Sequence, residues 1–313
     1  MPDTTSGFTT GDVTVLLDKV LGSPVTDLRV QTGGTIASVF RFTAHHVEYV
    51  VRLAARVIAP FAKEAFITAH YATPAVPIPR IVANGVVGDW CYAVSEAVPG
   101  IHFDTLPPDD AAALVPQLLD ILDAIHGAET SITTGWGQIG DDGNGTSPGW
   151  KHWLAQMADF GHLNPYHGTW QNVLDATMLE REDIAPLTRQ LSELLPVCPE
   201  DRTLLHGDYG FTNVLVANGR ITAVLDWANA QYGDAVFDLA WLDFWGEGMG
   251  YAETGRRRVA VRGNDLTGFA ERLACYQTYI ALDALRFFAM RGDASSVGWV
   301  RDRVRTLELD RGT

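Results

Sequence analysis

The stretch from Leu204 to Trp227 constrains the fold of this chain more than any other part of the sequence. It consists of a short apolar strand, a polar loop, two β-rich runs on either side of Asn218-Gly219, and an acid that ends the second run. An Asn-Gly pair between two such runs is a strong signal for a β-hairpin closed by a two-residue turn. The pattern therefore predicts a hairpin in which Ala217 faces Arg220.

The predicted hairpin brings three oxygen-bearing side chains to one end. Counting back from the turn places Asn213 opposite Val224, and because side chains alternate along a strand, Asp226 points to the same face as Val224. Asn213 and Asp226 are then diagonal neighbours, with Cα atoms about 7–8 Å apart. Asp208 lies five residues before Asn213, on the loop that enters the hairpin. Carboxylate and amide oxygens are the ligands that Mg²⁺ prefers, so the spacing is typical of a divalent cation site.

The charge balance of the chain narrows the class of ligand. A formal net charge of −15 argues against nucleic acid as a partner, because proteins that bind nucleic acid present a basic face. An acidic surface suits a cationic or metal-bridged ligand, and it equally serves solubility. The three cysteines, Cys91, Cys198 and Cys275, form no CxxC pair, which indicates the reduced thiols of a cytoplasmic protein.

The sequence shows no sign of export or of membrane insertion. Its first residues carry no basic region followed by an apolar one, as a signal peptide would. No run of about 18 apolar residues is present, so no membrane span is expected. We expect a cytoplasmic protein that acts on a small molecule, as a monomer or a weak dimer, without nucleic-acid or membrane partners.

Residues 1–97 are predicted to form a β-rich lobe with one inserted helix. A short amphipathic helix over residues 13–20 precedes three antiparallel strands, of which the first two flank the glycine turn Gly33-Gly34-Thr35. A second helix, over residues 61–71, ends before Pro74. The pattern breaks again at residues 98–100, where we place the boundary between two lobes. The predicted strands cover residues 27–32, 36–42, 47–53, 81–87 and 90–96.

Residues 98–313 are predicted to be mainly helical on either side of the hairpin. Residues 131–150 are rich in Gly, Thr, Asp and Ser, which indicates a long surface loop. Pro116 falls inside the first helix of this half and is expected to kink it. The predicted helices cover residues 114–126, 151–160, 169–180, 183–195, 237–244, 265–279, 279–290 and 294–309.

Several common catalytic motifs are missing or stand in the wrong context. A literal GxGxxG spans residues 135–140, but Asp141-Asp142-Gly143 follows it and does not open a helix, as a dinucleotide fingerprint requires. The sequence contains no GxxxxGK[ST] phosphate loop and no His or Cys cluster with zinc spacing. Dinucleotide, P-loop and zinc chemistry are therefore disfavoured.

The order of the remaining motifs indicates phosphoryl transfer. A glycine turn is followed by a strand with Arg52 near its end and by a helix with Glu64 in its first turns. A strand pair comes next, and then Asp208, Asn213 and the hairpin that ends at Asp226. Phosphoryl transfer needs positioned phosphates, Mg²⁺ and a carboxylate that steers the acceptor hydroxyl, with little covalent help from the protein. Taken alone, each acid has the simpler interpretation of a turn or cap residue, and the Arg–Glu pair that of a surface ion pair.

With this order of motifs, the chain resembles the aminoglycoside phosphotransferase family over nearly its whole length. The resemblance implies an α+β, two-lobed protein-kinase-like fold, with a nucleotide-binding lobe at residues 1–97 and a helical lobe, carrying the catalytic loop and acceptor pocket, at residues 98–313. It implies transfer of the γ-phosphoryl of ATP or GTP, with Mg²⁺, to a hydroxyl of an antibiotic, above all an aminoglycoside, and hence resistance. The most specific stretches are His206-Gly207-Asp208-Tyr209-Gly210-Phe211-Thr212-Asn213, residues 219–227, Gly233-Asp234 and Asp238-Leu239-Ala240.

The resemblance also implies roles for individual residues. It makes Asp208 the catalytic base and Asn213 and Asp226 the ligands of Mg²⁺. The nucleotide would be held by a loop over its phosphates, by an ion pair and by backbone groups between the lobes. Arg52 stands where many kinase-like enzymes carry lysine, and its planar fork favours bidentate contacts. The residues implied to bind the nucleotide are Gly34, Ser38, Arg52, Glu64, Ser95 and Ala97.

Two alternatives to an aminoglycoside kinase stay open. A kinase of a nucleoside antibiotic or of a small metabolite would share these motifs, because the helices after residue 245 select the acceptor and the resemblance is weaker there. A nucleotide-binding pseudokinase is the non-enzymatic alternative, and the presence of Asp208, Asn213 and Asp226 argues against it. The acidic, tryptophan-rich segment around Trp241 and Trp245 would suit an amine-bearing sugar, or it packs in the core.

Overall fold

The computed structural model describes residues 8–31, 37–55, 61–261 and 266–312. The chain divides into two compact units. The first comprises residues 1–125, 140–143 and 210–228, and the second comprises residues 126–139, 144–209 and 229–313. The predicted assignment of nucleotide binding to residues 1–97 and of acceptor binding to residues 98–313 concerns roles, and it stays a prediction.

Helices and strands together give the mixed α+β class that the sequence predicts. The helices are α1 (Thr10–Leu21), α2 (Phe61–Tyr71), α3 (Pro108–His126), α4 (Trp150–Ala158), α5 (Trp170–Ala176), α6 (Arg181–Leu194), α7 (Val236–Trp245), α8 (Tyr251–Val261), α9 (Phe269–Met290) and α10 (Ala294–Gly312). The strands are β1 (Thr26–Gln31), β2 (Ser38–Ala44), β3 (Val47–Ala55), β4 (Ile81–Val87), β5 (Trp90–Glu96), β6 (Ile101–His102), β7 (Trp136–Ile139), β8 (Gly145–Ser147), β9 (Thr203–Leu205), β10 (Val214–Ala217), β11 (Arg220–Val224) and β12 (Gln231–Gly233).

The first unit contains a five-stranded antiparallel sheet in the order β1-β2-β3-β5-β4. This order confirms the predicted meander and the later strand pair. Side chains alternate along the strands, so Phe40 and Phe42 of β2 and Val51 of β3 are buried together, and Leu17 of α1 packs on them. The predicted glycine turn at residues 33–35 lies outside the described residues.

The central hairpin of β10 and β11 is present in the first unit. Its turn residues, Asn218 and Gly219, both have positive φ (52° and 67°), which matches the turn type that such a pair favours. Ala217 faces Arg220, as predicted. β6 pairs with β10 on the other side, so the hairpin belongs to a three-stranded sheet in the order β11-β10-β6.

The register of the hairpin differs from the predicted one beyond the turn. A β-bulge leaves Thr222 without a partner residue and places Val214, and not Asn213, opposite Val224. The Thr222 hydroxyl donates to the carbonyl of Pro99 at 2.9 Å, which stabilises the extra residue. The predicted pairing of Asn213 with Val224 is therefore wrong, because alternation along the sequence cannot reveal a bulge held by a distant carbonyl.

The predicted surface loop over residues 131–150 is also wrong, because this segment contributes β7 and β8. They belong to a four-stranded sheet of the second unit, in the order β8-β7-β12-β9. Gly135 and Gly137 of the GxGxxG sequence have φ of 76° and 70°, and a Cβ on Gly137 would lie 2.6 Å from the ring of Trp153. These glycines allow other groups to pack closely against the sheet. The prediction failed because a glycine-rich composition is also typical of a loop.

The helices of the second unit differ from the predicted ones in three places. α5 ends at residue 176, whereas the predicted helix continued to residue 180. α9 runs unbroken from residue 269 to residue 290, whereas two helices that meet at Tyr279 were predicted. No Gly or Pro interrupts this segment, so nothing in it ends a helix. α8 was not predicted, and only Tyr251 and Gly255 are buried along it, which leaves no apolar stripe to detect.

None of the helices within the described residues is long and apolar enough to cross a membrane.

Candidate active site

Asp208 lies on the loop after β9, and one buried carboxylate fixes the backbone before it. Asp238 of α7 is fully buried, and its two oxygens accept the N–H groups of His206 (3.0 Å) and Gly207 (2.9 Å). Nδ1 of His206 accepts the N–H of Asp208 at 3.2 Å. Gly207 has a φ of 79°, and a Cβ there would lie 2.2 Å from the carbonyl oxygen of Asn229. The loop therefore has a fixed path, and it leads to an acid that is half-buried.

His126, the last residue of α3, extends this arrangement. Its Nε2 lies 3.0 Å from the Oδ2 of Asp238, the same oxygen that accepts the N–H of His206. Sequence reasoning missed this contact. The available signal is a histidine at the C-terminal end of an apolar helix, and the same signal is typical of a histidine that interacts with the helix dipole.

The predicted pair of Arg52 on β3 and Glu64 on α2 is present in the first unit, and it is bidentate. Nη1 of Arg52 lies 3.1 Å from Oε1 of Glu64, and Nη2 contacts Oε2. Burial raises the pKa of Glu64, which is only 4% exposed, while Arg52 opposes that rise. Burial by itself would lower the pKa of Arg52. The negative charges of Glu64 and Asp226 together have the larger, opposite effect, so the pKa of Arg52 is raised. The pair is therefore not an ordinary surface ion pair.

Asp226 follows β11 and is brought close to this pair. Its backbone has a φ of 56°, a left-handed conformation that is uncommon for a residue other than glycine. The Oδ1 atom of Asp226 accepts the N–H of Ala228 at 3.3 Å, and the residue is exposed. Its negative charge contributes to the raised pKa of both Arg52 and Glu64. The first unit thus places an exposed carboxylate beside a pair formed by a half-buried arginine and a buried glutamate.

Asn213 ends a 3₁₀ turn (Phe211–Asn213) immediately before β10 and is 8% exposed. Its N–H donates to the carbonyl of Gly210 at 2.8 Å, and its own carbonyl accepts the N–H of Leu225 at 2.8 Å. Leu225 precedes Asp226 in the chain. A backbone hydrogen bond therefore holds the two predicted metal ligands near each other, in place of the predicted diagonal pairing.

Lys63 is a residue of the same unit to which sequence reasoning assigned no role. It is 5% exposed, and its Nζ donates to the carbonyl of Ala228 at 2.6 Å. Burial lowers its pKa to about 8, although Glu64, Asp141 and Asp226 act in the opposite direction. The signal that could have found it is a lysine on the buried side of a helix, directly before the acid of the ion pair.

The other residues implied to bind the nucleotide occupy the sheet of the first unit. Ser38 is the first residue of β2, and Ser95 lies near the end of β5. Ala97 follows β5, and its N–H donates to the carbonyl of Glu48 at 2.9 Å, so this N–H is already used within the sheet. A contact from Ala97 to the base would therefore come from its carbonyl. Gly34 lies outside the described residues, and the nucleotide roles of the others stay predictions.

The oxygen donors present fit a magnesium ion that is shared with a nucleotide. Asn213 and Asp226 supply amide and carboxylate oxygens, which Mg²⁺ prefers. In the part of the chain that the structure describes, no group of three or more His, Cys, Asp or Glu side chains is arranged to hold a metal by itself. Magnesium commonly binds through one or two carboxylates together with substrate phosphates and water, and these two residues match that pattern.

Taken together, these features define a kinase-like phosphotransferase. The second unit carries an acid, Asp208, on a loop of fixed path. The first unit carries the half-buried Arg52 paired with Glu64, and oxygen donors that suit a metal. Each is a part that phosphoryl transfer requires. Residues 27–271 match the phosphotransferase enzyme family, and the chain belongs to this family.

Comparison with individual proteins supports this assignment. The chain is 32% identical to hygromycin-B 4-O-kinase of Escherichia coli over 283 residues, which cover 89% of this chain and 80% of the relative. A crystal structure of a thermostable mutant of aminoglycoside phosphotransferase APH(4)-Ia, in a ternary complex with AMP-PNP and hygromycin B, is similar with a TM-score of 0.81 at 29% identity, covering 94% of this chain and 97% of that one. The macrolide 2'-phosphotransferase MphH of Brachybacterium faecium shares the fold alone, with a TM-score of 0.62 at 18% identity, covering 94% of this chain and 97% of that one.

These findings confirm the predicted family, the α+β kinase-like fold and the reaction class. The protein is an enzyme that transfers a phosphoryl group to a hydroxyl. The individual roles of Asp208, Asn213 and Asp226 stay predictions, as does the identity of the acceptor.

Proposed function

We propose that this enzyme phosphorylates an aminoglycoside antibiotic of the hygromycin type, with ATP or GTP as donor, and so confers resistance. The observation that carries the proposal is the 32% identity with hygromycin-B 4-O-kinase across 89% of the chain. A net charge of −15 also suits a polycationic acceptor. We propose further that the enzyme works in the cytoplasm, as a monomer or a weak dimer.

In the proposed mechanism, Asp208 accepts or orients the proton of the acceptor hydroxyl. The hydroxyl oxygen forms a bond to the γ-phosphorus while the bond from that phosphorus to the β–γ bridging oxygen breaks, and the nucleoside diphosphate leaves. The two bonds from Asp238 to the N–H groups of His206 and Gly207 support this role. They hold the loop before Asp208 in place, so that less conformational freedom is lost when the hydroxyl is aligned.

The donor phosphates would be held by the first unit. Arg52 would contact them, with its guanidinium oriented by Glu64, and Asn213 and Asp226 would hold Mg²⁺. When bound, the metal neutralises part of the phosphate charge. The exposure of the Asp226 carboxylate supports this assignment, because a ligand must reach it from solvent.

Only some of the side chains that the sequence suggests for contacts with the acceptor are accessible to a ligand. Trp227 is 2% exposed and therefore serves the core. Trp245 stacks on Trp299, with ring centroids 5.2 Å apart and planes 6° from parallel. Half-buried Trp241 and exposed Glu247 remain as candidates for contacts with an amine-bearing sugar.

The proposal is tested by presenting the purified chain with Mg²⁺ and either ATP or GTP. The acceptors are hygromycin B, other aminoglycosides, nucleoside antibiotics, macrolides and choline. Release of nucleoside diphosphate and the gain of one phosphate in the product's mass identify the acceptor. We expect transfer to hygromycin B, together with a raised inhibitory concentration of hygromycin B for a sensitive bacterium that expresses the chain.

Two results would replace the proposal. Transfer to a nucleoside antibiotic or a metabolite, with none to any aminoglycoside, would assign another acceptor class to the same reaction. Binding of nucleotide without turnover on any acceptor would identify a pseudokinase.

A further inference from the structure

Two neighbouring residues of α2 connect that helix to two different parts of the proposed nucleotide site. Glu64 receives both guanidinium nitrogens of Arg52 on β3. Lys63, the residue before it, donates from Nζ to the carbonyl of Ala228 at 2.6 Å. Ala228 lies two residues after Asp226, and its N–H donates to the Asp226 carboxylate at 3.3 Å. A continuous series of contacts therefore runs from Arg52 through α2 to Asp226, entirely within the first unit.

The environment of Lys63 is a costly one for a cation. The residue is 5% exposed, and burial lowers its pKa to about 8 even though three acids, Glu64, Asp141 and Asp226, surround it. Within the described residues, one carbonyl, that of Ala228, takes the place of part of the water that would solvate its ammonium group. An unbranched apolar side chain of similar length would fill the same space without that cost, so stability alone does not account for a lysine here.

Residues 140–143, which belong to the same unit, also pack against α2, the helix that carries Lys63. A Cβ on Gly143 would lie 2.2 Å from the ring of Phe66, so the backbone of this segment lies directly against α2. Asp141 of the segment supplies one of the three negative charges around Lys63. Residues 140–143 therefore lie against the face of α2 that carries Lys63 and Phe66, and Lys63 connects this face to the peptide that follows Asp226.

We propose that Lys63 is a positioning residue that fixes Asp226 relative to Arg52 by tying α2 to the Ala228 carbonyl. The inference rests on the proposed roles of Arg52 and Asp226 in binding the magnesium nucleotide. Without the tie, the Arg52–Glu64 pair remains, but the segment after β11 can shift and the left-handed backbone at Asp226 loses a support. The consequence falls on the metal-dependent part of nucleotide binding and on turnover.

The test is Lys63→Met, which keeps the length of the side chain and removes the donor. Three quantities are measured: the Tm of the chain alone, the affinity for AMP-PNP by calorimetry with and without Mg²⁺, and kcat with KM for the donor. We expect a Tm that is unchanged or higher, a smaller gain in AMP-PNP affinity on adding Mg²⁺, and a kcat lower by roughly 10- to 100-fold, as for a misplaced reacting group. Lys63→Arg, which keeps a donor, should restore part of the metal-dependent gain.

Lys151→Met is the matched control, because Lys151 also donates from Nζ to a backbone carbonyl, that of Pro196 at 3.1 Å, in the second unit. It should leave kcat and the metal-dependent gain in AMP-PNP affinity unchanged.

Asp226→Ala separates this inference from the proposed function. If Asp226→Ala abolishes the metal-dependent gain while Lys63→Met keeps it, only the role of Lys63 is overturned. If Asp226→Ala keeps the gain, the metal site itself is misassigned and both fail. A fall in Tm that accounts for the lost activity of Lys63→Met would likewise overturn the positioning role.

Discussion

One oxygen of Asp238, Oδ2, serves both the backbone N–H of His206 and the Nε2 of His126, each at 3.0 Å. The other oxygen accepts the N–H of Gly207 at 2.9 Å. A single buried carboxylate therefore fixes the strand-to-loop transition before Asp208, and both of its oxygens are needed. An amide in its place can accept at one oxygen only, and its NH₂ group would face an N–H donor.

We expect Asp238→Asn to lower the free energy of unfolding by about 1.5–3 kcal/mol, the range for a lost hydrogen bond to a charged group. Turnover per folded molecule should fall as well, because the loop before Asp208 loses its anchor. Urea unfolding and initial rates measure the two effects. Asp183→Asn is the control, since Asp183 pairs with Arg301 through two bonds, of 2.8 and 2.7 Å, in the same unit. If both variants lose stability and neither loses turnover, Asp238 has no role in positioning the loop.

Asp208→Ala tests the proposed catalytic base. Removing a general base is expected to lower kcat by roughly 10²–10⁴-fold, while AMP-PNP affinity stays close to that of the unaltered enzyme. Single-turnover kinetics and calorimetry measure these two quantities. Asp89→Ala, at an exposed acid in the turn between β4 and β5, should change neither. Full activity of Asp208→Ala would remove Asp208 from the mechanism.

Much of the fold follows from local patterns in the sequence. The bounds of α2, β4 and β5 agree with the predicted residues 61–71, 81–87 and 90–96, because each has a regular period and a Gly or Pro at its end. The Asn218-Gly219 turn is equally local, since its backbone angles are those that this pair favours. The order of these elements predicted the reaction class only together with Arg52, Glu64, Asp208, Asn213 and Asp226 and with the resemblance to the family.

Three of the features that the sequence did not predict depend on contacts between residues distant in the chain. The bulge at Thr222 is stabilised by the Pro99 carbonyl, more than a hundred residues earlier in the chain. Strand β7 contains Gly137, and the ring of Trp153 occupies the space that a Cβ would need there. A glycine that is typical of a loop thus allows close packing in a sheet. The contact of Lys63 with Ala228 spans 165 residues. Pattern and propensity describe neighbours in sequence, so partners of this kind escape them.

Glu64→Gln tests whether the ion pair with Arg52 acts on the donor. Glu64 is 4% exposed, so removing its charge leaves an arginine without its partner, at a cost on the order of 3 kcal/mol. The KM for the donor should rise because the guanidinium is no longer held by two bonds. Thermal unfolding and initial rates at varied ATP measure both effects. Glu253→Gln, at an exposed acid paired with Arg256 and Arg257, should leave Tm and KM unchanged. An unchanged KM in Glu64→Gln would restrict the pair to a structural role.

The buried ammonium of Lys63 also predicts how stability depends on pH. Its pKa is about 8 in the folded chain against an ordinary value of 10.5, so below pH 8 both the folded and the unfolded chain carry the charge and the cost of burial is fully present. Between pH 8 and 10.5 the unfolded chain binds the proton and the folded chain does not, so this group makes the free energy of unfolding rise with pH. The total rise is on the order of 3 kcal/mol.

Lys63→Met removes this contribution, together with the smaller effect of the Lys63 charge on the pKa of Glu64. At pH 7 the variant should be the more stable of the two, and its advantage should shrink as the pH rises towards 10.5. Urea unfolding of both proteins at several pH values gives the difference directly. A difference that does not change with pH would mean that Lys63 keeps its ordinary pKa in the folded chain, so that its ammonium group is not desolvated by burial. With the expected pKa of about 8, the folded chain holds a neutral amine above pH 8, and the hydrogen bond to the Ala228 carbonyl should weaken there, because a neutral amine is a weaker donor than an ammonium group.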